Sequence, residues 1–252
     1  MAACPTPCRD PLPIDSCDFG QAALFFDFDG TLADIAPTPD QARARPRTLA
    51  CLRELARRGA ALAIVSGRSI ESIDALLAPL RLPVAGVHGA QRRDASGRLH
   101  RHCGPDLSAA TAQVLAFCRD RPGLCCEIKP GALTLHYRQA PAQAAACRRL
   151  LRELAARDPG LACMPARMAA ELLPSEVDKA RAVSAFLDEP GFRGRLPLYF
   201  GDDLADEPAF AWVQSRGGMG VKIGAGASVA LARLASPAAL QARLVAWLRR
   251  RT

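Results

Sequence analysis

The sequence predicts an α/β protein: a mainly parallel sheet interrupted by a second, smaller α+β unit. Short apolar runs without alternation, as strands buried on both faces require, recur and end abruptly in small polar residues. They are Ala22–Phe26 before Asp27, Ala61–Val65 before Ser66, and 196–200 before Gly201. Helical patterns over 48–58, 70–80 and 179–187 separate them, the order expected when crossover helices join parallel strands. Between Gly104 and Leu173 the texture changes, and this stretch reads as an insertion.

Taken in order, the first run ends in Asp27-Phe28-Asp29-Gly30-Thr31, two carboxylates two residues apart at the mouth of a buried strand. Residues i and i+2 of an extended chain share a face, so Asp27 and Asp29 can address one substrate. One carboxylate can then attack phosphorus while the other handles protons. An Asp-rich turn with no chemistry would show the same pentapeptide, so the other run ends matter. The second run ends in Ser66-Gly67-Arg68, and the last in Gly201-Asp202-Asp203, followed by Asp206. In open parallel sheets ligands collect beyond the carboxyl ends of the strands, where all of these residues would lie.

The insertion begins with a helical stretch over 107–118. Strand patterns over 124–129 and 132–136 flank the Pro130-Gly131 turn and read as a hairpin. A helix over 143–157 and strands over 161–164 and 168–173 complete it, dividing the chain into a core of residues 1–103 and 174–252 and a cap of 104–173. Met1 to Pro13 is Pro-rich and reads as a tail.

The ordered set of Asp27-x-Asp29-Gly30-Thr31, Ser66-Gly67-Arg68, Lys179 and Gly201-Asp202-Asp203-x-x-Asp206 resembles the haloacid dehalogenase superfamily. Within it, the stretches 85–93, 135–141 and 217–224 resemble bacterial trehalose-6-phosphate phosphatases. The resemblance implies a Rossmann-like core and an inserted α+β cap that governs specificity. It implies Asp27 as the nucleophile that forms an aspartyl phosphate and Asp29 as the acid/base. Phosphoryl transfer loads charge onto three equatorial oxygens, so a divalent cation is expected beside them. Oxygen ligands from Asp27, the Asp29 carbonyl and Asp202 favour Mg²⁺. Ser66 would bind a phosphoryl oxygen at the start of the following helix, near Gly30, Thr31, Gly67 and Arg68. Lys179 would lie across the reacting groups as a compact charge, with Asp203 and Asp206 orienting it or metal-bound water. His88 and Gly89 would line the cleft from the core, and Glu127, Lys129, His136, Arg138 and Glu171 from the cap. Of these, Glu127, Lys129 and Glu171 are the expected distal glucose contacts. Ala180 stands after Lys179 where relatives often carry glycine, and Pro208 follows Asp206 closely.

Lysine usage points the same way. Lys129, Lys179 and Lys222 are the only lysines among 33 basic residues, so those that remain are enriched where a forked guanidinium would not fit. The alternation Glu127-Ile128-Lys129 puts both charges on one strand face. On pattern alone that pair could equally be a solvated ion pair of little worth. Lys222 is expected on an exposed face or a sheet edge.

The reacting residues alone leave open a phosphatase for another sugar phosphate, of sucrose or mannose type. They also leave open a phosphosugar mutase, which returns the phosphoryl group from Asp27 to sugar. The net charge of +8 and pI near 9.2 raise a non-enzymatic alternative, a polyanion-binding protein. The arginines are scattered, no nucleic-acid-binding module accompanies them, and aromatic residues are only 5%, which leaves few stacking platforms. The ten cysteines show no CxxC pattern and read as reduced, mostly buried thiols. No apolar stretch is long enough to span a membrane. The expectation is a cytoplasmic monomer acting on a small sugar phosphate, with neither nucleic acid nor membrane as partner.

Overall fold

The structure is a computed structural model that describes residues 18–36, 38 and 41–250. The expected tail over Met1 to Pro13 lies outside the described residues, as do Cys4, Cys8 and Cys17. The chain enters through β1 (Ala22–Phe26), crosses by α1 (Pro46–Arg57) to β2 (Ala61–Val65), and continues through α2 (Ile70–Leu77) to β3 (Val84–Gly86). Two short strands follow, β4 (Gln91–Arg93) and β5 (Leu99–Arg101). The inserted unit comprises α3 (Ser108–Arg119), β6 (Cys125–Lys129), β7 (Ala132–His136), α4 (Ala144–Ala156), β8 (Leu161–Ala166) and β9 (Ala169–Pro174). The chain returns through α5 (Lys179–Leu187), β10 (Leu196–Gly201), α6 (Glu207–Ser215), β11 (Met219–Ile223), β12 (Ala232–Leu234) and α7 (Pro237–Arg249).

The larger sheet has the order β12-β11-β10-β1-β2-β3-β4-β5. It is parallel from β12 to β3 and antiparallel beyond. Both faces of β1 are buried, which explains its unbroken apolar run. Leu24 and Phe26 join one core layer with Leu52, Leu55, Ile73 and Trp247, whereas Ala23 and Phe25 face Val183, Phe186 and Phe210 in the other. Strand β2 lies on one side of β1 and β10 on the other, so the order reverses at β1 and a crevice opens at the strands' carboxyl ends.

The smaller sheet is antiparallel, in the order β6-β7-β9-β8. Its alternation separates the two faces. Leu133, Leu135, Ala170 and Leu172 pack under Val114 of α3 and Leu151 of α4. Residues of the opposite parity, including Glu127, Thr134 and Glu171, pair across the strands on the other face. The two connections to the larger sheet touch: a Cβ on Gly104 would lie 2.6 Å from Pro174 Cγ.

Helix ends follow local chemistry. Ser69, Asp178 and Ser236 cap α2, α5 and α7 by accepting from the amides of Ser72, Arg181 and Ala239. Helix α2 stops at Leu77, short of the expected residue 80, because Pro79 pushes Ala78 into an extended conformation. Two expectations fail. Lys222 is buried, since β12 covers the flank of β11 and the Lys222 ammonium donates to the Asp202 carbonyl. The thiols are not mostly buried either. Among the described cysteines only Cys51 and Cys147 are, while Cys125 is exposed on edge strand β6 and Cys103 on the connection. No helix among the described residues is long and apolar enough to cross a membrane.

Trp247 is fully buried and meets Phe19 edge-on, with ring centroids 4.7 Å apart. Trp247→Ala is expected to cost about 3–5 kcal/mol of stability by leaving a large cavity beneath β1. Chemical denaturation measures it, and a cost of under about 1 kcal/mol would mean that α7 is not part of the cooperative core.

Candidate active site

The end of β1 carries Asp27, 5% exposed, and the start of α5 carries Lys179, 3% exposed. The Lys179 ammonium donates to Asp27 Oδ1 at 2.8 Å and to Asp206 Oδ1 at 2.6 Å. Asp206 has no lone pair left to give. Its Oδ1 also accepts from the Tyr199 hydroxyl at 2.7 Å, and its Oδ2 accepts from the amides of Asp202 and Asp203, each at 2.9 Å. A side chain on Gly201 would overlap this carboxylate, and one on Gly30 would overlap that of Asp202. These glycines let the carboxylates lie directly on backbone.

Carboxylate oxygens of Asp27, Asp202 and Asp206 lie within 4.8 Å of one another. Burial pushes the Asp27 carboxyl well up, and Lys179 only partly offsets it. Burial, then the neighbouring Asp206 and Asp203, pushes Asp202 up to about 7. Burial alone would lower Lys179, but Asp206 and Asp27 hold it above the ordinary lysine value. Three carboxylates thus crowd the Lys179 ammonium, with the Lys222 ammonium at the Asp202 carbonyl and the Arg167 guanidinium at the Asp202 carboxylate. With Asp206 committed, Asp27 and Asp202 supply hard oxygen donors at a place that favours added positive charge. The donor set fits a divalent cation such as Mg²⁺.

Asp29 faces the same opening, held by Arg68 in a two-pronged pair, Nε to Oδ2 at 2.6 Å and Nη2 to Oδ1 at 2.8 Å. The guanidinium also lies 5.7 Å from the Phe28 ring centroid. Ser66, at the end of β2, sits beside them, with its Oγ accepting from the Arg68 amide at 3.2 Å.

The polar face of the smaller sheet closes the other side of a cleft of about 280 Å³. Lys129 donates to Glu171 Oε1 at 2.7 Å and to the Gly67 carbonyl at 3.0 Å, so it bridges the two sheets. Glu171 Oε2 meets His88 Nε2 at 2.5 Å, and Thr134 donates to Glu171 Oε1 at 2.7 Å. His136 pairs with Glu127 at 2.9 Å and, with Arg138, lines the wall. Burial alone would raise the Glu171 carboxyl, but His88 and Lys129 hold it well below the ordinary range.

Known proteins similar to this chain bear on what such a cleft does. The family model described as trehalose-phosphatase matches residues 25–238. The trehalose-6-phosphate phosphatase of Escherichia coli is 44% identical over 216 residues, spanning 84% of this chain and 81% of that one. The chain belongs to the trehalose-phosphatase family. The phosphatase also resembles a solved trehalose-6-phosphate phosphatase related protein, with a TM-score of 0.75, 26% identity and coverage of 90% and 97% of the two chains. It shares its fold with a haloacid dehalogenase-like hydrolase from Bacteroides thetaiotaomicron, at a TM-score of 0.69, 14% identity and coverage of 89% and 98%. The α/β core with an inserted α+β unit is therefore as the sequence implied, and the protein is a phosphoric monoester hydrolase.

Most of the sequence-derived site residues line this cleft; Asp206 lies fully buried behind Lys179, and three others do not reach it. Gly30 packs beneath Asp202, Thr31 is fully buried, and Gly89 packs against Ala182 of α5; none lines the cleft. Asp203 does not touch Lys179 but caps the turn that carries Asp206. The Glu127/Lys129 pair is not a solvated one, because the Lys129 side chain is only 9% exposed. Sequence reasoning missed Tyr199, hidden inside an apolar run, and Arg167, whose guanidinium reaches Asp202 at 3.3 Å from the turn between β8 and β9. Neither is marked by local pattern.

A group held below its unfolded pKa adds stability that is full above that value and disappears on acidification. For Glu171 the loss should begin below about 4.3, the ordinary glutamate value. Glu171→Gln carries no such dependence, so thermal midpoints of the two proteins should converge between about pH 7 and about pH 3. Parallel profiles would show that Glu171 is not held ionised.

Proposed function

We propose that the protein hydrolyses trehalose 6-phosphate to trehalose and phosphate in a Mg²⁺-dependent reaction through an aspartyl phosphate on Asp27. The observation that supports this most directly is the Lys179 ammonium spanning Asp27 and Asp206 at the floor of a cleft whose opposite wall bears Glu127, Lys129 and Glu171. Asp27, the Asp29 carbonyl and Asp202 would hold the cation, which when bound neutralises charge on the phosphoryl oxygens. Residues 1–103 and 174–252 act as the catalytic core and 104–173 as the cap.

In the first half, an Asp27 oxygen attacks phosphorus, the bond from phosphorus to the sugar oxygen breaks, and Asp29 gives that oxygen its proton. In the second half, Asp29 takes a proton from water, whose oxygen attacks phosphorus and releases Asp27 and phosphate. Ser66 and the backbone around Gly67 hold phosphoryl oxygens, and Lys179 keeps Asp27 oriented and offsets its charge. Remote hydroxyl contacts on the cap position the ester, and they act only on substrates that carry a second sugar.

Turnover should stop on chelation and return with Mg²⁺. Asp27→Asn should be essentially inactive, whereas Asp29→Asn should trap phosphoenzyme from a nitrophenyl ester; rapid turnover by Asp27→Asn would reject the nucleophile. Phosphate release across trehalose 6-phosphate, sucrose 6-phosphate, glucose 6-phosphate and mannose phosphates tests the substrate. Glu127→Ala and Lys129→Ala should cost roughly 1–3 kcal/mol each in kcat/KM on trehalose 6-phosphate and far less on nitrophenyl phosphate. Equal losses on both esters would remove these residues from sugar recognition.

A further inference from the structure

The turn after β3 holds three successive residues at positive φ: Val87 at 49°, His88 at 56° and Gly89 at 115°. A β-branched residue rarely adopts this region, so the surroundings must impose it. They do so through the phosphate-side segment: the Val87 amide donates to the Arg68 carbonyl at 2.8 Å and the His88 amide to the Ser66 carbonyl at 2.9 Å. The same turn presses the His88 ring against Gly67, where an added Cβ would lie 2.7 Å from Nε2. From there Nε2 reaches Glu171 of the cap, Glu171 holds Lys129, and Lys129 returns to the Gly67 carbonyl. A closed circuit of polar contacts thus joins the sugar side of the cleft to Ser66-Gly67-Arg68.

The hydrogen-bonding capacity of this circuit is not exhausted. Both lone pairs of Glu171 Oε1 are taken, by Lys129 and Thr134, but Oε2 has one left. Lys129 has placed two of its three protons, since Glu127 Oε2 lies 3.9 Å away. His88 is 6% exposed and lines the cleft, and its Nδ1 is buried without a partner, so the ring is tied into the circuit through Nε2 alone.

Resting on the disaccharide-phosphate reading above, we propose that His88 is a positioning residue that couples hydroxyl occupancy of the cap side of the cleft to the Ser66-Gly67-Arg68 segment. A sugar that fills the two unspent positions fixes Lys129 and Glu171, Glu171 holds His88, and His88 in turn fixes the backbone that grips the phosphoryl group. A small ester fills none of them.

The test compares kcat and KM for trehalose 6-phosphate and 4-nitrophenyl phosphate in wild type, His88→Asn and His88→Gln. Asparagine tolerates the left-handed backbone but is too short to reach Glu171, whereas glutamine returns an amide N–H near the Nε2 position. His88→Asn should lose roughly tenfold or more in kcat/KM on the disaccharide ester, with kcat carrying the larger share, and at least several-fold less on the small ester. His88→Gln should recover part of that loss. Wild-type turnover tests the substrate separately: if another disaccharide phosphate is preferred, the same comparison on that ester judges His88. Equal losses on both esters, or no loss on the disaccharide ester, would overturn the coupling.

Discussion

The ammonium of Lys179 between Asp27 and Asp206 is the constraint on which the rest of the structure depends. Removing one partner from a buried ion set leaves an uncompensated charge, which costs far more than the set itself contributes. Asp206 is therefore over-determined: by the ammonium, by the Tyr199 hydroxyl and by two consecutive backbone amides. Those amides can converge because Asp203 and Asp206 cap each other's turn and Gly201 leaves the space above it empty. The sheet order supplies the long-range half of the arrangement, since β1 and β10 must be neighbours for Asp27 and Asp206 to share one cation.

The two sides of the cleft differ in how their carboxylates are matched. Asp27, Asp202 and Asp206 crowd the Lys179 ammonium, whereas Glu171 faces both Lys129 and His88. The pKa directions follow: burial wins at Asp27 and Asp202, and the facing groups win at Glu171. Under the proposed function, one side of the cleft would take a cation and a phosphoryl group, and the other neutral hydroxyls that need a fixed pattern of donors and acceptors. Arg167, more than half exposed, reaches from the wall side to Asp202 on the floor.

Much of this was legible in the sequence, and the limit has a physical form. The strands leading to Asp27, Ser66 and Gly201 announce themselves because burial on both faces demands unbroken apolar runs. The hairpin turning at Pro130-Gly131 is equally clear, because alternation places Glu127 and Lys129 on one face. The failures arise where a residue's role is set by a neighbour distant in the chain. Lys222 looks like an edge residue until β12 is known to flank it, and Tyr199 looks like core until Asp206 folds back onto its hydroxyl. Gly30 and Gly89 belong to motifs that reach the cleft, yet each serves close packing behind it. His88 was legible as a residue of the cleft, but its grip on Glu171 depends on a turn of three left-handed residues that composition does not signal.

The three lysines bring these strands of argument together. In a chain that otherwise uses arginine, Lys179 and Lys222 are buried, the Lys129 side chain is only 9% exposed, and all three point to the same site. Lys179 holds Asp27 and Asp206, Lys222 donates to the Asp202 carbonyl, and Lys129 donates to Glu171 and the Gly67 carbonyl. Each is a point-like donor at the end of a thin stem that threads between packed groups to reach acceptors converging from different elements. A planar guanidinium would carry five donors in a fixed fork, and in these spaces several would face apolar neighbours unpaired. Where geometry permits the fork, the chain uses it: Arg68 meets both oxygens of Asp29, and Arg93 both oxygens of Asp74. The choice of base at each position follows from how many acceptors are present and how they are arranged, so residue identity already encodes the shape of the space around it.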